Sequence, residues 1–181
     1  MKLKIIKDNN PIMRKKSIPV DLPLCDEDKK TLDDMLEYLK LSQDDEYAAK
    51  HNIRSGVGLA AIQIGLLKRM FVVYYPGSEN EIVQYQLVNP KIIETSVRKV
   101  ALSNGEGCLS VDVDHKGLSH RYYKIKMQAF DALTNQDIVI TARGYDAIVL
   151  QHEYDHLDGI FYYDRIDKKH PDTQIMNEEL I

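Results

Sequence analysis

The chain has little of what would place it in a membrane, outside the cell or on nucleic acid. Only two cysteines, Cys25 and Cys108, occur in 181 residues. They could form one disulfide at most, and a reducing compartment disfavours even that. No apolar run approaches the roughly 18 residues of a transmembrane helix, so no membrane association is expected. The opening stretch, Met1-Lys2-Leu3-Lys4-Ile5-Ile6-Lys7-Asp8, lacks the apolar core of a signal peptide, which predicts a cytoplasmic protein. Positive charge is not in excess either: 24 Lys and Arg stand against 28 Asp and Glu, a net charge of −4. That balance gives no general footprint for nucleic acid, and no specific DNA binding is expected. Repeats and low-complexity segments are missing too. Residues 1–181 are therefore expected to form one domain, long enough for a sizeable core.

What is there centres on Gln151-His152-Glu153-Tyr154-Asp155-His156-Leu157-Asp158-Gly159. On a helix, His152 and His156 lie on one face about one turn apart and point at one place. Glu153 is offset by roughly 100° and can approach the same place without being a ligand. His-Glu-x-x-His is the arrangement of metallohydrolases, the glutamate serving as general base. The bland alternative, a satisfied core histidine, is harder to apply to a pair with an adjoining acid. The segment from Gly144 to Leu157 has no proline and no internal glycine, and Tyr145, Ile148, Val149, His152 and His156 recur at helical steps. Gly159 sits where a helix terminates.

Residues 1–24 read as an extended arm punctuated by Pro11, Pro19 and Pro23. A helix is expected over Asp26–Leu41, with Leu32, Met35, Leu36 and Leu39 as its core stripe. Residues 42–55 read as a polar loop with a short helical turn. Gly56-Val57-Gly58-Leu59-Ala60-Ala61-Ile62-Gln63-Ile64-Gly65 follows. Its glycines admit a close backbone neighbour, such as a peptide paired in β fashion, or simply a tight turn before a core strand. Strands are expected over Arg69–Tyr75, Ile82–Asn89 and Lys91–Leu102, with a turn at Pro76-Gly77-Ser78 and a break at Asn89-Pro90. Cys108–Val111 reads as extended, and 112–119 as a polar loop. Arg121–Asp131 and Asp137–Arg143 read as a hairpin about Thr134-Asn135. Gly159–Tyr163 is expected to be a short strand and 164–181 a polar tail. Strands first and a late buried helix predict an α+β domain, with mostly antiparallel strands packed around the helix that carries His-Glu-x-x-His.

A catalytic metal needs a third protein ligand. No His, Asp or Glu follows Asp158 at the offsets of the longer zinc-protease motifs. Cys108, flanked by Gly107, is the attractive candidate because a thiolate binds borderline metals strongly. An inert buried cysteine is the other reading.

Three stretches in order, Gly56–Gln63, Glu106-Gly107-Cys108-Leu109-Ser110 and Gln151–His156, together resemble the peptide deformylases. Asn10-Pro11-Ile12-Met13-Arg14 is similar to that family's opening motif, and the resemblance runs from about residue 5 to residue 167. The insertion before Gly56 and Ser110-Val111 after the cysteine look like the Gram-positive-type branch. Ile62 departs from the family, many members of which carry proline there.

The resemblance implies one divalent metal per chain on Cys108, His152 and His156, usually Fe²⁺, with Zn²⁺, Ni²⁺ or Co²⁺ able to substitute. It implies that Glu153 is the acid/base and that Gln63 and the Leu109 N–H bind the oxyanion. With Glu106 two residues before Cys108, the family's pattern of a basic residue on the next strand implies that Glu106 pairs with Arg121 and braces the Cys108 loop, the alternative being a solvated turn glutamate. It also implies removal of formyl groups from N-formylmethionyl nascent peptides, in reach of the ribosome. The peptide is expected along Val57, Gly58 and Gly107, with its methionine in an apolar pocket near Tyr145, Ile148 and Val149. The rival class is a zincin-type metallo-endopeptidase sharing only His-Glu-x-x-His.

Overall fold

The computed structural model of the protein describes residues 3–77 and 81–181. Among the described residues, eight strands (β1 Gly58–Ala60, β2 Met70–Pro76, β3 Ile82–Thr95, β4 Lys99–Ala101, β5 Arg121–Tyr122, β6 Lys124–Asp131, β7 Gln136–Arg143 and β8 Glu178–Leu180) accompany three α-helices. The helices are α1 (Asp26–Ser42), α2 (Asp45–His51) and α3 (Gly144–Leu157). One sheet has the order β1-β2-β3-β6-β7 and every pairing in it is antiparallel. A second has the order β5-β4-β8, with β8 parallel to β4. The α+β class read from the sequence therefore holds.

The near-continuous apolar run of β2 follows from burial on both faces, since alternate residues of a strand point opposite ways. Met70 and Val72 pack towards α1, among Leu32, Met35, Leu36 and Leu39. Phe71, Val73 and Tyr75 pack towards α3, among Ala147, Leu150 and Leu157. Helix α3 is thus held against one face of the large sheet, while α1 covers the other. The predicted limits of α3 coincide with those found, and α1 runs one residue further than expected, to Ser42.

Several local expectations fail, each for a physical reason. Pro90 does not end the strand. β3 runs through it with a register shift between Val88 and Lys91, and a bulge is where a strand tolerates proline. Asn89 adopts φ 51° there and is held on both sides. Its Oδ1 accepts from Val20 N at 2.8 Å, and its Nδ2 donates to Val20 O at 2.8 Å. The strand expected over Lys91–Leu102 is divided between β3 and β4. By contrast, the helical turn expected within 42–55 is present as α2, capped by Asp44, whose Oδ1 accepts from Tyr47 N at 2.8 Å.

Gly159–Tyr163 is not a strand. The chain instead enters a 3-10 turn, Tyr162–Arg165, in which Phe161 N donates to Asp164 Oδ2 at 2.8 Å. The polar tail contains β8, whose Glu178 is buried and accepts from Ile175 N and His120 Nδ1. The turn foreseen at Pro76-Gly77-Ser78 reaches outside the described residues.

Candidate active site

Helix α3 brings His152 and His156 together, with ring centroids 4.9 Å apart. Cys108 arrives on a turn, not on the extended segment foreseen: Val111 N donates to Cys108 O at 3.1 Å. Its Sγ lies 3.3 Å from His156 Nε2. One donor atom from each of Cys108, His152 and His156 falls within 4.8 Å of the others. His152 donates through Nδ1 to Glu106 Oε2 at 2.8 Å, which turns Nε2 to the cluster and fixes the ring. A thiol sulfur and two imidazole nitrogens make a donor set suited to a divalent metal of borderline softness. The residues therefore fit a single metal ion.

Glu106 is the hinge of a buried charge network. Arg121 donates through Nε to Glu106 Oε1 at 2.5 Å and through Nη2 to Oε2 at 2.9 Å, as expected of these two residues. Arg121 also donates through Nη1 to Asp155 Oδ2 at 3.0 Å, and Asp155 in turn accepts from Arg165. Burial pushes the Glu106 carboxyl up, but the Arg121 charge and the bonds from His152 and Arg121 outweigh it and hold it down at about 2. Sequence reasoning missed Asp155 and the link from Glu106 to His152. The available signal was an acid on the buried part of a helix, which must find a partner.

Glu153 stands apart from this network. It is buried, its Oε2 has no hydrogen-bond partner among the described residues, and burial raises its carboxyl to about 7. A Cβ built on Gly58 would lie 2.3 Å from Glu153 Oε1. Any larger residue at 58 would force the Glu153 carboxylate to shift. Gly56 serves similarly: its Cβ would lie 2.7 Å from Leu109 Cδ1. Within the chain, the close neighbours of both glycines are side chains, those of Glu153 and Leu109.

Gln63 is buried beside the cluster. Its Oε1 accepts from Ala60 N at 2.8 Å, so its Nε2 faces inwards, 3.1 Å from Ser110 Oγ and 3.7 Å from Cys108 Sγ. A cavity of about 190 Å³ opens over this group. Val57 and Gly58 line one side, Gly107, Cys108 and Leu109 another, and Ile148 and Val149 its apolar wall, with Gln63, His152 and Glu153 between them. Tyr145 is 40% exposed at its mouth and meets Tyr75 edge-on at 5.5 Å. His156 is buried behind the lining. All twelve predicted site residues are thus in or directly behind one cavity, and β1 presents its free edge to it, being the outermost strand of its sheet.

The family model described as polypeptide deformylase matches residues 2–172. The chain is 50% identical over 163 residues to the peptide deformylase of Shouchella clausii, covering 90% of this chain and 88% of that one. It is 47% identical over 168 residues to the peptide deformylase of Macrococcus caseolyticus, covering 92% and 91%. Among solved structures, the peptide deformylase of Thermotoga maritima superposes with a TM-score of 0.71 at 30% identity, covering 92% of this chain and 99% of that one. That of Thermus thermophilus gives 0.69 at 33% identity, covering 91% and 86%. Matches of this extent and identity place the chain in the polypeptide deformylase family, in its Gram-positive-type branch.

Proposed function

We propose that the protein hydrolyses the formyl amide of N-formylmethionyl peptides of newly made proteins, releasing formate and a free N-terminal amine. The observation that carries this reading is Glu153: a buried carboxylate with an unpartnered oxygen, beside the Cys108, His152 and His156 donors, in a small cavity edged by β1. Residues 1–181 act in it as one catalytic unit, in the cytoplasm and within reach of the ribosome.

Cys108, His152 and His156 would hold one divalent metal, Fe²⁺ in this reading with Zn²⁺, Ni²⁺ or Co²⁺ as substitutes, whose chemistry there is Lewis-acid activation of water. Glu153 accepts the proton of the attacking water. Its burial and its unpartnered oxygen leave it free to take that proton and to give it up again. It passes that proton to the leaving nitrogen, because an amide anion is too basic to depart. Gln63 Nε2 and the Leu109 N–H offer hydrogen bonds to the oxygen on which charge develops.

Val57 and Gly58 on the free edge of β1 receive the peptide backbone, and Gly107 leaves room opposite. Ile148 and Val149, with Tyr145 at the mouth, enclose the methionine side chain. A zincin-type endopeptidase lacks support here: the third donor is Cys108, and the family match covers nearly the whole chain.

Formate release from formyl-Met-Ala-Ser tests the reading. Formate and free Met-Ala-Ser are expected in equal amounts. Cleavage between Met and Ala, or no formate from metal-loaded protein, overturns it.

A further inference from the structure

Two segments face each other across the mouth of the cavity. One, residues 54–58, leads from α2 into β1, and the other is the loop 108–115 that follows Cys108. They touch through Leu109 and Gly56. They are also joined by Arg54. Its Nη2 donates to both carboxylate oxygens of Asp114, at 2.8 and 2.9 Å, and its Nη1 donates to Val111 O at 2.9 Å. The pair lies directly over Gly107, where a Cβ would meet Arg54 Nη2 at 3.2 Å and Asp114 Oδ1 at 4.0 Å.

The loop is tied elsewhere to the body of the protein. Lys7 donates to Leu109 O and pairs with Asp112, and His115 N donates to Tyr162 Oη. Arg54 alone ties it to the opposite lip by side-chain hydrogen bonds among the described residues.

We propose that Arg54 is a positioning residue for the part of the peptide beyond the methionine, setting through Asp114 and Val111 how far the β1 lip stands from the Cys108 loop. This rests on the deformylase reading above. A peptide longer than the cavity must leave between these lips, whereas a formyl-methionyl dipeptide ends within it. The Arg54 and Asp114 side chains are 46% and 54% exposed, so the ion pair is weak enough to part as a chain enters and re-form over it. Three bonds from one planar fork still define a single separation, which a lone ammonium would not.

The test compares formyl-Met-Ala with a formylated hexapeptide on metal-loaded wild type, Arg54→Ala, Arg54→Lys, Asp114→Asn and the exchanged pair Arg54→Asp with Asp114→Arg. For the hexapeptide, KM is expected to rise about fivefold in Arg54→Ala, the scale of an exposed ion pair with one charged hydrogen bond, with kcat little moved. For the dipeptide the rise is expected to be under about twofold, since it meets Val57 and Gly58 but ends before the gap that Arg54 and Asp114 span. Arg54→Lys and Asp114→Asn fall between, and the exchanged pair recovers part of the loss. Raising ionic strength from about 0.1 M to about 1 M should raise the wild-type KM for the hexapeptide and leave that of Arg54→Ala unmoved, as an exposed pair is screened.

Amide hydrogen exchange, read without substrate, is expected to speed up over 108–115 in Arg54→Ala. Equal losses for both peptides, or a fall in kcat at constant KM, overturn the proposal by making Arg54 a support of Cys108 alone. Unchanged exchange removes the tie itself. Absence of formate from wild type refutes the deformylase reading instead, and the exchange result then still decides whether the tie exists.

Discussion

Helices α1 and α3 lie against opposite faces of one sheet and solve burial in opposite ways. On α1 the buried side chains are mostly apolar, with Leu32, Met35, Leu36 and Leu39 inside and its charges mostly in water. On α3, Gln151, Glu153, Asp155 and His156 are buried alongside Ala147, Ile148 and Leu150. A helix of the first kind gains stability from area removed from water. One of the second kind must satisfy each buried polar group, or it loses more than burial returns. Gln151 is satisfied by Tyr122 N and O, and Asp155 by Arg121 and Arg165. Among the described residues, Glu153 Oε2 and His156 Nδ1 are left over, the first on the residue proposed to carry the proton and the second on a candidate metal donor. The buried polar atoms that this helix leaves without a partner thus belong to the residues given a part in the chemistry.

Substitutions can sharpen or break this contrast. The largest effect is expected at Glu153. Glu153→Gln should fold, keep its metal content and lower formate release by about 10²–10⁴-fold, the range of acid/base catalysis. Loss of metal would instead make Glu153 a ligand. Its pH signature is separate. In metal-free protein the raised carboxyl gives the folded state more bound protons than the unfolded state between 4.5 and about 7. Stability is then fully present below 4.5 and falls as pH rises through 7, by about 3 kcal/mol. Urea unfolding of Glu153→Gln should lack that fall.

Next comes Arg121→Met, which leaves Glu106 and Asp155 buried without their shared cation. A loss of about 3–5 kcal/mol in urea unfolding is expected. A neutral result would mean that the two acids find other partners or take up protons. Below that, Met35→Ala opens a cavity under α1 and should cost about 2–5 kcal/mol while leaving kcat at the wild-type value. A large loss of kcat would break the division between a structural and a functional helix. The smallest effect is expected at Lys30→Ala. The Lys30–Asp34 pair on α1 spans 2.8 Å with its lysine 68% exposed, and its removal should change stability by no more than about 0.5 kcal/mol.

The same contrast decides what was legible in the sequence. α1 is read from its apolar period, and α3 from its histidine spacing and clean ends. Both depend on signals within a few residues. What escaped depends on partners far along the chain. Asn89 makes Pro90 tolerable within β3 through two bonds to Val20, 69 residues away. β8 exists because β4, far earlier in the chain, offers it an edge.

The turn that delivers Cys108 looked extended because nothing in Cys108-Leu109-Ser110-Val111 itself forces a turn. The site residues were identified through motif order, which carries distant positions together in a way local periodicity does not. Asp155 lay inside a quoted motif and was still missed, because its role is visible only once Arg121 and Arg165 stand beside it.

The empty Cβ position of Gly58 has one more consequence. In the proposed reading, the strand edge that receives the peptide is also the wall against which Glu153 rests. Substrate placement and proton delivery are thus gauged from one surface: whatever displaces β1 moves the scissile amide and the carboxylate together. A change that shifts the strand bodily preserves their spacing, whereas one methyl on residue 58 wedges between them. Tolerance to change along β1 should therefore depend on whether a substitution translates the strand or pries it from Glu153, and very little on how far it lies from the reacting atoms.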